Sequence, residues 1–172
     1  MSFFFSILTL FLFFINPVHS EQKIVFVDMD RIISTSKPGV SILKQLNVIN
    51  NKNIVFFKKE EKKFKQNETK LISQKNIISE TDFKKKVDIL RLEINKYNQN
   101  RKKIIRDFNQ LKVDSTNKLV ILINPILSKF SKDNEISVIL QKKNLIIGKI
   151  SLDITDKIIK IINEEIDEIK IR

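Results

Sequence analysis

A heptad repeat of apolar residues runs through the middle of this chain and constrains its fold more than any other feature. The repeat alternates steps of four and three residues, and Arg101 alone interrupts it. Its other members are Phe83, Val87, Leu90, Ile94, Tyr97, Ile104, Phe108 and Leu111. Neither glycine nor proline occurs between Gly39 and Pro125. An apolar repeat of about 3.5 residues keeps one narrow seam of a helix against a partner, so the sequence predicts a coiled coil.

The partner helix is predicted to precede this seam, where a weaker repeat places apolar residues seven apart. These residues are Phe57, Phe64, Leu71 and Ile78. The run 76–81 separates the two patterns and predicts a turn, with Ser79 or Thr81 capping the returning helix. The two helices then form an antiparallel hairpin arm over residues 46–129. We expect Arg101 to reach out of the seam or to pair with an acidic residue of the facing helix.

The segments that flank the arm, 21–45 and 130–172, are predicted to form one small β/α body. Runs rich in β-branched residues predict strands at 24–27, 136–140 and 144–147, the last two joined by a hairpin over 141–143. The predicted fold class is therefore α+β, mostly α, with a small β-sheet body and a long helical hairpin.

Capping residues predict where the helices of the body and arm begin. Asp28 can cap a short helix. Ser36 or Lys37 lies near the cap of the first arm helix, with Pro38 in its first turn. Asp153 or Thr155 can cap a last helix. Isoleucines at helical spacing give that helix one apolar face, made of Ile154, Ile158, Ile161, Ile162, Ile166 and Ile169.

Residues 1–20 have the pattern of a secretory signal peptide with cleavage after Ser20. The run from Phe3 to Ile15 is almost entirely apolar, and Pro17 precedes the small residues of the cut site. An uncleaved membrane anchor is the alternative, but this run would span only about 20 Å of a bilayer core of about 30 Å. The sequence thus predicts export, and the absence of cysteine fits a bacterial periplasm.

Few residues in this chain could support catalysis. The single histidine, His19, lies in the predicted signal peptide, and there is no cysteine. Two glycines cannot build a phosphate-binding loop. Carboxylate pairs occur at two turns and could hold a divalent cation or cap helices, and capping explains them better; they are Asp28 with Asp30 and Asp153 with Asp156. We predict a protein that is not an enzyme and needs no cofactor.

The arm is strongly basic and predicts an electropositive binding surface. Residues 52–112 contain 18 lysines or arginines against 8 acidic residues, a net charge of +10 out of +12 for the chain. The candidate surface comprises Lys58, Lys59, Lys62, Lys63, Lys84, Lys85, Lys86, Arg101, Lys102 and Lys103. Acidic segments of a client protein or anionic lipid head groups are the partners that such charges predict, and the family resemblance described below adds lipopolysaccharide as a candidate. Nucleic acid is less favoured, because the chain is predicted to be exported and shows no base-reading module.

The body is too small to bury much apolar surface alone, which predicts self-association through its strands. Exposed apolar residues of the arm outside the seam, such as Ile89 and Leu92, could also contact unfolded chains. The candidate oligomer interface comprises Ile24, Val25, Phe26, Val27, Val138, Leu140 and Ile146.

Both ends of the sequence resemble the Skp/OmpH family of periplasmic chaperones. The resemblance lies in Lys23–Ile33 with the following Ser36–Gly39, and in Ser151–Ile159, where a Leu-Asp-Ile-Thr stretch opens the last helix. It implies a homotrimer whose three arms enclose a cavity, acting as an ATP-independent holdase for unfolded outer-membrane proteins. Two other functions remain open from the residues: a basic coiled coil that binds nucleic acid, and a structural envelope protein with one fixed partner.

Overall fold

A computed structural model of the protein describes residues 22–171. The predicted signal peptide, residues 1–20, lies outside the described residues. Within them the chain is mostly helical and contains one two-stranded sheet, which confirms the predicted α+β fold class. No helix in this described part is long and apolar enough to cross a bilayer.

The sheet pairs two strands that lie more than a hundred residues apart in the sequence. Strand β1 spans Lys23–Val27 and strand β2 spans Ile136–Gln141, and they run parallel with Phe26 opposite Leu140. Parallel strands need a long crossover connection, and here the whole arm is that connection. On its other edge, β1 accepts a hydrogen bond of 3.0 Å from Ile154 N to Phe26 O. The sheet therefore brings both ends of the described chain to the base of the arm.

The predicted hairpin after β2 is wrong. Residues Lys142–Asn144 form a single 3-10 turn, and 145–149 have no regular structure. The chain folds back over β1 instead of pairing with β2, and Lys142 Nζ bonds the Asp153 carboxylate at 3.0 Å across this segment. Gly148 permits this path, since a Cβ there would lie 2.8 Å from the ring of Phe26.

Two short helices belong to the body. Helix α1 spans Met29–Thr35, and the Asp28 carboxylate caps it as predicted by accepting a hydrogen bond from Arg31 N at 2.9 Å. The last helix spans Thr155–Glu165, where the Asp153 carboxylate accepts from Thr155 N at 3.0 Å.

The last helix is shorter than its apolar spacing predicts. It ends at Glu165, so Ile166 and Ile169 lie beyond it, and the chain continues without regular structure to residue 171. In place of helical hydrogen bonds, the backbone of Ile169 and Ile171 bonds the side chain of Gln45.

Two long helices form the arm. Helix α2 spans Lys37–Ser73 and helix α3 spans Glu80–Asp133, so the last helix of the chain is α4. Ser36 caps α2 as predicted, and Gly39 is needed in its first turn because a Cβ there would overlap the carbonyl oxygen of Ile33.

The turn between the arm helices covers residues 74–79, two residues earlier than predicted. Ser79 caps α3, as predicted, by accepting a hydrogen bond from Asp82 N at 3.2 Å. The Ser79 hydroxyl also donates to the Asp82 carboxylate at 2.7 Å, so the two side chains are joined across the first turn of α3. The cap fixes the start of α3 and hence the register of the returning helix.

The core of the body lies between the sheet, α4 and the roots of both arm helices. Side chains with essentially no exposure are Ile32, Leu119, Ile123, Ile158 and Ile162. Leu119 and Ile123 belong to α3, before the predicted body boundary at residue 130. The arm helix therefore supplies part of the core on which the arm stands.

Candidate interaction surfaces

The predicted seam residues line the contact between α2 and α3. Tyr97 is buried, and the other apolar members of the seam are partly buried. These are Phe83, Val87, Leu90, Ile94, Ile104, Phe108 and Leu111. On the facing helix Phe57, Phe64 and Leu71 are also partly buried. Two helices alone cannot enclose a seam fully, so the arm is thin and nearly all of it is surface.

One aromatic cluster lies midway along the arm, around Tyr97. The Tyr97 ring contacts Phe64 and Phe57, with ring centroids 5.3 Å and 6.5 Å away. Its hydroxyl donates to Glu61 Oε1 at 3.1 Å. Burial, and then the hydrogen bond and negative charge of Glu61, raise the pKa of Tyr97 above its ordinary value of 10.0. The cluster ties α2 to α3 at one defined register.

Arg101 completes this cluster. Its guanidinium lies 5.2 Å from the centroid of the Phe57 ring and 3.9 Å from Glu61. The predicted pairing with an acidic residue of the facing helix is therefore present in the structure. Its side chain is about half exposed, so the charge stays partly solvated while its stem covers the seam.

Every residue of the candidate basic surface is exposed. The set is Lys58, Lys59, Lys62, Lys63, Lys84, Lys85, Lys86, Arg101, Lys102 and Lys103. Between residues 22 and 171, the arm's ion pairs involve arginines only: Arg91, Arg101 and Arg106. The lysines of the set thus carry charge that no carboxylate within the described chain neutralises. Such a field attracts acidic partners over about 8–10 Å at physiological salt.

Apolar side chains lie exposed among these charges. Leu92 and Val55 each expose about two thirds of their surface, and Ile89 more than half. Near the tip, a shallow groove is lined by apolar Leu71 and Ile89. Lysines rim the same groove. The arm therefore offers small apolar contacts within a cationic surface, without an enclosed pocket.

The candidate oligomer interface divides into exposed and buried residues. Val25, Phe26 and Val27 are buried within the chain itself, so they support its own core and are not accessible. The others are exposed: Ile24, Val138, Leu140 and Ile146. Ile146 is fully exposed, next to the almost fully exposed Ile147 and Ile150.

Ile147 and Ile150 extend this face. Ile147 lies in the predicted strand 144–147 but was not named as an interface residue, and Ile150 lies beyond that strand. With Ile24, Val138, Leu140 and Ile146 we call them the base face, a set of exposed apolar residues from β1, β2 and the segment that follows β2. Apolar surfaces of this kind on a small body are typical of interfaces.

The carboxylate pairs act as caps and ion pairs. Arg31 bonds Asp156 at 2.6 Å, and no group of residues in the range 22–171 has the arrangement of a metal site. Burial alone would raise the pKa of Asp153, but hydrogen bonds from Thr155 and Lys142 outweigh it and hold the pKa below its usual value. Asp153 and Asp156 therefore stabilise the fold of the body.

Comparison with known families shows which family this chain belongs to. The family model described as "Outer membrane protein (OmpH-like)" matches residues 23–162, which is most of the chain. The chain belongs to the OmpH-like family. Curated proteins give no significant sequence match.

A solved structure has the same fold as this OmpH-like chain. It is the crystal structure of an OmpH-like protein from Caulobacter crescentus, described as a candidate outer membrane chaperone. The two superpose with a TM-score of 0.80 at 13% sequence identity, over 91% of this chain and 94% of the other. The hairpin arm and small body are therefore a shared architecture, kept at low sequence identity.

Proposed function

We propose that this OmpH-like protein is a periplasmic holdase that binds unfolded outer-membrane proteins and prevents their aggregation without ATP. Membership of the OmpH-like family supports a chaperone role and a non-enzymatic one. The holdase activity is proposed from the surface of the arm. On its two long helices, exposed apolar side chains lie among lysines that pair with no carboxylate of the described chain.

The arm suits weak contact with many points of an unfolded chain. Single exposed residues such as Leu92 and Val55 each bury little area, so each contact contributes little free energy. Many such contacts can hold a client, and each can break by thermal motion. Release then needs no nucleotide.

The lysines give this surface its long-range attraction. They would draw acidic stretches of a client to the arm before apolar contact forms, and salt would weaken this step. Anionic lipid or lipopolysaccharide could occupy the same lysines, since phosphate and carboxylate present similar charge.

We propose a homotrimer joined through the base face. Three copies would bury Ile146, Ile147 and Ile150, which are almost fully exposed in one chain. Within the described residues β2 pairs with β1 alone, so its other edge could pair with a neighbouring copy. Three arms leaving one base would surround a common space for the client. Export through cleavage after Ser20 would place the trimer in the periplasm.

The test is aggregation of a urea-denatured outer-membrane β-barrel protein, followed by light scattering after dilution. Mature protein is expected to suppress scattering equally with and without ATP at one trimer per client. Two double variants locate the binding surface. The arm pair is Lys84→Gln with Lys85→Gln, and the α4 pair is Lys157→Gln with Lys160→Gln. Both pairs remove the same charge from exposed positions.

The arm pair should slow capture at low salt, while the α4 pair should act like the parent protein. No suppression by the parent protein would contradict the holdase proposal. Equal loss in both pairs would show that net charge matters and the arm does not.

The unpaired lysines also favour a second candidate, binding to nucleic acid. That function predicts tight binding to duplex DNA whose affinity falls steeply with salt concentration. Titration of labelled DNA in the same buffer separates the two, because a holdase should prefer the unfolded client.

A further inference from the structure

We propose that residues 166–171, here called the strap, tie the roots of both arm helices to the body and limit how far the arm can swing. The strap follows α4 directly, so it is anchored to the body at one end. It lies beyond residues 23–162, the region that matches the OmpH-like family.

Apolar side chains seat the strap in the core. Ile169 is buried within the main hydrophobic cluster, and Ile166 and Ile171 pack against it. Asp167 and Glu168 point their charge to solvent, as both are exposed. Buried and exposed residues are thus interspersed along the strap, so one side of it packs on the core and the other faces solvent.

Gln45 of α2 holds the strap by its backbone. Gln45 Nε2 donates to Ile169 O at 2.6 Å, and Gln45 Oε1 accepts from Ile171 N at 3.3 Å. One side-chain amide therefore satisfies a carbonyl and an N–H two residues apart, as a neighbouring strand would. Ser41 Oγ, 3.2 Å from the same nitrogen, orients the amide.

The strap also reaches the second arm helix. Lys118 Nζ of α3 donates to Lys170 O at 3.4 Å. Lys37, at the start of α2, adds a nearby link through its backbone N–H, which donates to Asn163 Oδ1 of α4 at 2.6 Å. The two arm helices are thus joined to α4 and its extension at the level where they leave the body.

Small motions at this level are amplified along the arm. At 1.5 Å per residue, the helix from Gln45 to Ser73 is about 42 Å long, so a rotation of about 10° at the root moves the tip by about 7 Å. Even a small loosening of the contacts at the root should therefore be visible as a large change in the range of the tip.

The test measures strap release and arm motion in the same full-length mature protein. The chain has no cysteine, so Ile77→Cys at the tip and Lys157→Cys on α4 give two unique spin-label sites. Pulsed electron paramagnetic resonance, with labelled chain diluted in unlabelled chain, gives the tip-to-body distance distribution. Hydrogen exchange at the Ile171 amide reports whether the strap is seated.

Gln45→Ala with Ile169→Asp is the release variant, and Glu168→Ala, an exposed position in the same strap, is the control. The release variant should raise exchange at Ile171 by about tenfold or more, since it loses a hydrogen bond and a buried contact. It should also broaden the distance distribution, whereas the control should change neither quantity.

Two results would overturn the proposal. Unchanged exchange would show that Gln45 and Ile169 do not hold the strap, and raised exchange with an unchanged distribution would show that the strap does not restrain the arm. If circular dichroism shows that the release variant unfolds, Gln45→Ala alone decides by the same two criteria, because it leaves Ile169 in the core.

Discussion

Replacing Tyr97 tests whether the aromatic cluster stabilises the middle of the arm. Tyr97→Phe keeps the contacts with Phe57 and Phe64 and removes the hydrogen bond to Glu61, which is half exposed. Because water can replace the lost partner of Glu61, the expected loss in the free energy of unfolding is about 1 kcal/mol. Tyr97→Ala also removes the buried ring, so its expected loss is about 3 kcal/mol.

The assay is urea denaturation followed by circular dichroism. Fluorescence cannot follow these variants, because Tyr97 is the chain's one tyrosine and there is no tryptophan. Leu92→Ala, at an exposed position of the same helix, is the control and should change the free energy by less than about 0.5 kcal/mol. Equal, small losses for both substitutions of Tyr97 would refute the reasoning.

Tyr97 also predicts a pH dependence. Its pKa is raised above 10.0 in the folded protein, so the folded state disfavours the ionised phenol. Below pH 10.0 the hydroxyl is protonated in both states and its full contribution to stability is present. As the pH rises through 10.0 toward the folded pKa, the unfolded state loses its proton first and stability falls. Tyr97→Phe should remove this part of the pH dependence, and a slope unchanged in that variant would contradict the assignment.

Three further predictions concern other parts of the molecule. Ile146→Asp with Ile147→Asp should shift the sedimenting species from trimer toward monomer without loss of helical signal, because the proposed interface would then bury charge; an unchanged mass would contradict the base face. Gly39→Ala should lower the free energy of unfolding by about 1–3 kcal/mol in urea denaturation, because its Cβ would overlap the Ile33 carbonyl oxygen; unchanged stability would contradict that packing. Mass spectrometry of exported protein should find Glu21 as the N-terminal residue, and an intact Met1 would argue for an anchor.

Local signals in the sequence were sufficient to predict the helices of the arm. Capping by Asp28, Ser36 and Ser79 depends on residues within one turn, so the start of each helix was readable. The heptad spacing placed the seam on one side of α3. It also allowed an acidic partner for Arg101 on the facing helix, but did not identify that partner as Glu61.

Contacts between distant residues could not be read in the same way. The pairing of β1 with β2 depends on two segments separated by the arm, and an apolar run does not reveal its partner. The run at 144–147 resembles a strand, but Lys142 and Gly148 direct it over Phe26. The helical spacing beyond Glu165 was misleading because Gln45, far away in sequence, binds that backbone.

We propose that this chain captures an unfolded membrane protein between arms that share one base. Sedimentation velocity tests it most directly, with mature protein and a denatured outer-membrane β-barrel protein diluted together in the absence of nucleotide. The account predicts one soluble complex with the mass of three chains and one client. Protein that sediments as a single chain while the client aggregates would contradict it.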